Sequence, residues 1–346
     1  MRELLHAIRV VGLRRLLRLS RAHRRFWSNM ISGSFSTYVI QTLFNIGFFD
    51  EIRKNGRLRV EEFSRRYQID AKTLRVLCDY LYCIRILRRN GEEYALDSDG
   101  RLLVDTARGW FEATYGYQDV YCELENILRK QKEYGRDVFR KPVLVASGSG
   151  RMEQMVHFPL AIDLIAKNRF TKVVDLGCGD GRFLIDLCRH LPEVTGYGID
   201  LSPEAVTYGQ EQVKQAGLEA RITLFNQDIT KITRLPEPLS KVDAVTTFLV
   251  LHEILFRGEQ VLIGFLKDFR RLFPGVPLIV FEVIRASLEE TRRTTGMSAQ
   301  YYLQHDLTGQ SLVDGPKWRE LFQAAGFETI QDRYLRFVKT SIFCVR

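Results

Sequence analysis

Lys172-Val173-Val174-Asp175-Leu176-Gly177-Cys178-Gly179-Asp180-Gly181-Arg182 decides the fold. A short apolar strand runs into three spaced glycines and then into Phe183 to Leu191, which reads as a helix. Glycine lets the backbone approach a ligand closely, and a helix N-terminus behind such a turn favours groups that accept hydrogen bonds. Downstream, a second strand, Val194 to Ile199, ends at Asp200, 25 residues past Asp175. A carboxylate at that strand end is placed to accept both hydroxyls of a ribose. A third element, Ile222 to Phe225, runs into Asn226-Gln227-Asp228-Ile229, where a carboxylate can meet an adenine amino group, and a fourth strand comes next at Val242 to Leu249. Strands alternating with helices predict a mostly parallel sheet. The glycine spacing differs from the dinucleotide fingerprint, and the lysine of a phosphate-binding loop is missing.

Upstream the pattern changes. Ser36 to Gly47 reads as a helix ending at a glycine, Val60 to Arg66 as a second, and Ala71 to Tyr82 as a third, with Asp70 as its cap. Ile86-Leu87-Arg88, Asn90-Gly91 and Tyr94-Ala95-Leu96 then predict a hairpin with a type I′ turn. Three helices and a hairpin make a winged-helix pattern. Such a module can read DNA, but its third helix offers Tyr80, Leu81 and Tyr82 in place of a row of base-reading side chains, so a dimerisation role is favoured. The boundaries expected are 1–105 for this region, 106–165 for an aromatic-rich helical linker contributing to a substrate pocket, and 166–346 for the α/β domain.

A chain of 346 residues fits about two domains, and 45% hydrophobic with 27% charged residues excludes disorder, collagen and coiled coil. No apolar run reaches the ~18 residues of a membrane span. Arginines interrupt every apolar run near the N-terminus, which argues against a secretory signal and for the cytoplasm. The net charge of +9 is concentrated in residues 1–28, which hold eight arginines (Arg2, Arg9, Arg14, Arg15, Arg18, Arg21, Arg24 and Arg25) against Glu3 alone. A basic tip on a nearly neutral body does not suggest a nucleic-acid protein; a helix on a partner subunit or a solvated helix is expected. The six cysteines lack zinc-site spacing and read as reduced thiols.

The wording Asp175-Leu176-Gly177-Cys178-Gly179-Asp180-Gly181 resembles the S-adenosylmethionine site of Rossmann-like methyltransferases. With the winged-helix module in front, the chain resembles the small-molecule O-methyltransferases, whose dimers interlock through their N-terminal regions. The resemblance implies an α/β class I sheet and a homodimer. It also implies a cofactor site in which Gly177, Gly179 and Gly181 make room for the amino-acid part. Asp175 would help hold the ammonium, Asp200 with Leu201 the ribose, Asp228 with Gln227 the adenine, and Phe248 would border the site. In that family a histidine after the fourth strand acts as general base on a phenol, and here His252 takes its place, with Glu282 after the fifth strand to orient it.

His305 changes the expectation. It lies 53 residues past His252 in a chain with six histidines. The pair resembles a branch of the superfamily, the metal-dependent 2-oxo acid C-methyltransferases, in which two histidines hold a metal that chelates the substrate. The resemblance implies iron or zinc on His252 and His305, with Glu282 either completing the ligand set or orienting His252. It implies Arg136 and Trp110 near a substrate carboxylate, and a 2-oxo acid acceptor: 2-ketoarginine first, phenylpyruvate-like acids next. Asp306, Asp314, Asp119 and Glu123 are the acids considered for pairing with a guanidinium. The alternatives are an O-methyltransferase with His252 as base and, from another class, a DNA-binding regulator.

Overall fold

The computed structural model describes residues 2–22, 27–294, 296–310 and 312–346. Arg24 and Arg25 of the basic tip lie outside the described residues. The chain divides into two compact units, Met1–Tyr115 and Gly116–Arg346. The expected linker of residues 106–165 is therefore not a body of its own: its first ten residues belong to the first unit and the rest to the second.

In the first unit, helices Arg2–Val11 and Leu13–Ala22 cover the basic tip, followed by Ser28–Asn45, Phe48–Asn55, Val60–Tyr67 and Ala71–Cys83. Asp70 caps the last of these, accepting from the Thr73 amide at 2.7 Å. Gly47, at φ 72°, turns the chain between two of the helices. Strands β1 (Leu58–Arg59), β2 (Leu87–Asn90) and β3 (Glu93–Leu96) form a small sheet in the order β1-β3-β2. Leu43, Phe48, Phe49, Leu74, Leu81 and Tyr94 fill the core. The hairpin differs by one residue from the expected turn: Asn90 pairs with Glu93, so Gly91 and Glu92 make the loop. Arg85, left-handed at φ 66°, follows the end of the Ala71–Cys83 helix, and β2 begins two residues on with Leu87 opposite the buried Leu96.

The second unit is built on seven strands: β4 (Lys172–Leu176), β5 (Thr195–Asp200), β6 (Ile222–Asn226), β7 (Ala244–Phe248), β8 (Leu278–Val283), β9 (Thr329–Leu335) and β10 (Thr340–Val345). Their order is β6-β5-β4-β7-β8-β10-β9. The first five are parallel and β10 runs antiparallel between β8 and β9. Val173, Val174, Val245, Ile279 and Val280 are wholly buried, as strands covered on both faces require. A 27-residue helix, Pro142–Asn168, packs against the Arg182–His190 helix and β7. Because β4, β5 and β7 are parallel neighbours, their carboxyl ends open one crevice at the place where the strand order reverses, the usual ligand site of such sheets.

Candidate functional site

The loop after β4 needs its glycines for two reasons. Gly177, Gly179 and Gly181 have φ of 75°, 53° and 71°, in the left-handed region that glycine occupies without strain. A Cβ on Gly177 would also stand 2.5 Å from a Val250 methyl carbon. The amides of Gly177 and Cys178 donate to the Ile199 carbonyl at 2.8 and 3.1 Å, which ties the loop to β5. Asp200 then accepts from the Gly179 amide at 2.8 Å and the Ser202 amide at 2.9 Å. Asp175 is buried and accepts from the Thr246 hydroxyl at 2.8 Å. Burial pushes its carboxyl up to about 8, the Thr246 bond opposing and the Asp200 charge adding.

Gln227 is exposed, with its amide bonded to the Asp200 carbonyl at 2.9 Å. Asp228 accepts from the Thr230 amide and hydroxyl. That bond, outweighing a small burial effect, holds Asp228 below the usual carboxylate range. Leu201 is exposed at the rim. Phe248 is buried, its ring stacked on Phe281 with centroids 4.8 Å apart. The glycine loop and the ends of β5 and β6 thus converge, while Phe248 gives its face to the core.

His252 sits on a short helix, Leu251–Leu255, directly after β7. Glu282, fully buried near the end of β8, holds it from below. One oxygen accepts from the Leu251 and His252 amides at 2.7 and 3.3 Å, and the other from His252 Nδ1 at 2.9 Å. Burial opposes protonation of His252, but the charge and hydrogen bond of Glu282 outweigh it and raise its pKa. His305, on the Ser298–Leu307 helix, donates from Nδ1 to the Tyr301 carbonyl at 2.8 Å, and the Tyr301 ring stacks on it at 4.1 Å. Burial, helped by the His252 charge, takes His305 down to about 4, so it is neutral at pH 7. The two rings stand 5.3 Å apart between centroids.

Both Nδ1 atoms are committed, so each neutral ring keeps its lone pair on Nε2, the tautomer a metal or a proton requires. Glu282 serves the Nδ1 side of His252 and two backbone amides with its two oxygens. Among the described residues, no group of three His, Cys, Asp or Glu side chains stands at metal-binding spacing. The Nε2 atoms of His252 and His305 are the donors at this place that could hold a cation.

The expectation for Arg136 is corrected. Arg136 is exposed and pairs with Glu133 and Asp137. Arg140, four residues on, reaches the histidines instead, donating to Glu253 at 2.9 Å and to Gln310 and the Tyr117 hydroxyl at 3.2 Å each. Glu253 lies 3.9 Å from His252 Nε2. Burial opposes its charge, but His252 and Arg140 outweigh that and keep it below the ordinary range. Trp110 belongs to the N-terminal unit and is partly exposed there. The four acids considered for a guanidinium are already engaged. Asp306 takes both Arg285 bonds at 2.8 Å, Asp314 caps the Gly315–Ala324 helix, Asp119 faces Lys141 at 3.5 Å, and Glu123 accepts from Lys132 and Asn126. Arg140, Glu253 and Gln310 escaped sequence reasoning. The one available signal was that Glu253 adjoins His252.

Residues 173–273 match the methyltransferase domain family. The chain carries an S-adenosylmethionine-dependent methyltransferase domain of the class I fold. It is similar to the 2-ketoarginine methyltransferase of Streptomyces arginensis, 29% identical over 301 residues, covering 85% of this chain and 86% of that one. It is also similar to the indolepyruvate C-methyltransferase of Streptomyces griseus, 24% identical over 314 residues, covering 87% and 88%. Human N-acetylserotonin methyltransferase in complex with S-adenosylmethionine shares the fold, with a TM-score of 0.68 at 16% identity over 92% of this chain and 96% of that one. The mitomycin 7-O-methyltransferase does so with a TM-score of 0.64 at 14% identity and the same two coverages.

Proposed function

We propose that the protein moves the methyl group of S-adenosylmethionine to C3 of a 2-oxo acid, with 2-ketoarginine first and phenylpyruvate-like acids next, in specialised amino-acid or natural-product biosynthesis. The observation that carries this reading is the pair of imidazoles, 5.3 Å apart between centroids, whose Nδ1 atoms both face away into hydrogen bonds. A general base on a phenol needs one such histidine, whereas two imidazoles side by side suit a cation such as iron or zinc.

A cation bound there would supply Lewis-acid stabilisation of the enolate that forms when the proton beside the ketone leaves. The need is chemical: a phenol ionises near pH ~10, and a C–H beside a ketone is far less acidic. The protein's own work is positioning. Glu282 fixes the His252 tautomer, Tyr301 fixes that of His305, and the glycine loop with Asp200 would hold the cofactor so that its sulfonium methyl faces the acceptor. C3, its proton having passed to water, would attack the methyl carbon in line as the C–S bond breaks and its electron pair stays on sulfur.

Labelled cofactor, a panel of 2-oxo acids and elemental analysis test this together. The reading expects about one iron or zinc per chain, and it expects His252→Ala and His305→Ala each to lose the ion and the activity while keeping cofactor affinity. A metal-free preparation active at full rate, or an active His305→Ala, overturns it. Those results would favour O-methylation of a phenol by His252 as base, a reading supported by the Glu282 contact that raises its pKa. We also propose a homodimer formed through the N-terminal unit, where Leu5, Val10, Leu17, Ile31 and Phe35 are exposed. Light scattering showing a monomer at micromolar concentration would refute the dimer.

A further inference from the structure

Glu153 lies in the Pro142–Asn168 helix, one turn before His157, and only 6% of it is exposed. Residues four apart share a helix face, and His157 marks that face as inward: it bonds the Thr340 hydroxyl at 3.1 Å and packs on Phe281. Gln154, the next residue, reaches outward to Asp186 instead. Glu153 takes part in no hydrogen bond or ion pair among the described residues. Arg182, whose charge it feels, is bonded to Asp180 at 2.6 Å. Its other electrostatic neighbours are Asp175 and Asp180 on the cofactor side, and Glu282 and the Tyr301 hydroxyl on the side of the histidines.

A buried carboxylate with no partner is costly unless something pairs with it. Here the surroundings add negative charge, so the partner that satisfies the group is a cation. Burial first, then the charges of Asp175, Glu282 and Asp180, raise the Glu153 carboxyl well above the carboxylate range until such a partner arrives.

We infer that Glu153 is the cation-recognising carboxylate of the site, pairing with a positive group carried by a bound small molecule. Two sources have that chemistry. One is the sulfonium-and-ammonium end of S-adenosylmethionine. The other is a guanidinium at the far end of the 2-oxo acid, and this second source rests on the acceptor proposed above. No other acid considered for that role is free: Asp306, Asp314, Asp119 and Glu123 each hold a partner already. A carboxylate kept for a ligand at the expense of the empty protein is a common stability–function conflict.

The test uses Glu153→Gln, which keeps the shape and removes the charge, and Glu153→Met, which removes the polar group. Thermal melting of the ligand-free proteins, calorimetry with S-adenosylmethionine and S-adenosylhomocysteine, and calorimetry with 2-ketoarginine and phenylpyruvate are measured on full chains. Both variants should melt at or above the wild-type temperature, since they lose a carboxyl that folding must keep protonated. At least one cationic ligand should bind roughly tenfold or more weakly, and phenylpyruvate should bind as before. Weakening of S-adenosylmethionine more than of its demethylated product assigns the sulfonium. Weakening of 2-ketoarginine alone assigns the guanidinium. Lower melting temperatures with every affinity unchanged would make Glu153 a structural residue and overturn the inference, as would no change in any measurement. Because binding and not turnover is read, the cofactor arm stands even if no 2-oxo acid proves to be methylated.

Discussion

Replacing Glu282 by glutamine removes one charge and no volume, and the geometry around it dictates how the site responds. One carboxylate oxygen accepts from the Leu251 and His252 amides, so the single oxygen of a glutamine must stay there and its NH2 must face His252 Nδ1. A donor would then meet the donor Nδ1–H at 2.9 Å. The imidazole resolves this by moving its proton to Nε2, leaving the lone pair on the wrong atom. A hydrogen bond to a charged group contributes about 1.5–3 kcal/mol, so a loss of roughly ten- to a hundredfold in metal affinity or rate is expected. The His252 pKa should also fall, because Glu282 is what raises it against burial. Nitrogen chemical shifts of labelled histidine report the tautomer, calorimetry reports the cofactor, and initial rates report the chemistry. The expected pattern is an inverted His252 tautomer, unchanged S-adenosylmethionine affinity and a slow enzyme. A glutamine variant at wild-type rate with its Nδ1–H intact would refute the assignment of Glu282 as the group that orients His252.

Asp200→Ala should weaken S-adenosylmethionine binding by roughly tenfold or more, because it removes the acceptor at the end of β5 and frees the Gly179 amide it holds; wild-type affinity by calorimetry would take Asp200 out of the site. Gly177→Ala should destabilise the protein by about 1–3 kcal/mol, since both its φ of 75° and the 2.5 Å approach of Val250 oppose a side chain; an unshifted denaturation midpoint would contradict that. His157 is buried and its pKa drops to about 4, below the unfolded value near ~6.5. Its contribution to stability is therefore present above pH ~6.5 and is lost as pH falls towards 4, by up to about 3 kcal/mol. His157→Gln should lose less stability than wild type across that window in pH-resolved melting, and parallel curves would refute it.

The readable parts of the sequence are those where one local pattern does one physical task. Gly177, Gly179 and Gly181 come after an apolar strand at the spacing a tight turn needs, and Asp200, His252 and Glu282 stand just at or after strand ends. Position in the chain then nearly equals position in the crevice. Arg140 and Glu253 are 113 positions apart and join segments with no shared periodicity, so nothing in either stretch announces the other. Arg136 is as suitable as Arg140 on sequence, and only the turn between them decides which faces inward. Glu153 is hidden for the opposite reason: Arg151-Met152-Glu153-Gln154 looks like a solvated helix face, yet the middle of that run is buried. The one-residue shift of the hairpin turn goes with a register that sets the buried Leu87 opposite the buried Leu96, and packing of that pair outweighs the preference of Asn90-Gly91 for the loop.

The antiparallel strand β10 enters the sheet between β8 and β9, and its Ser341 stands opposite Glu282. This gives the two halves of the site different folding histories. The cofactor loop is made by neighbouring strand–helix–strand units, whose contacts are close in sequence and can form early. The bed under Glu282 waits for residues about sixty positions later in the chain to slot between two strands already made. During synthesis, a nascent chain would hold its cofactor pocket before it could orient His252, so the power to bind S-adenosylmethionine would precede the power to use it.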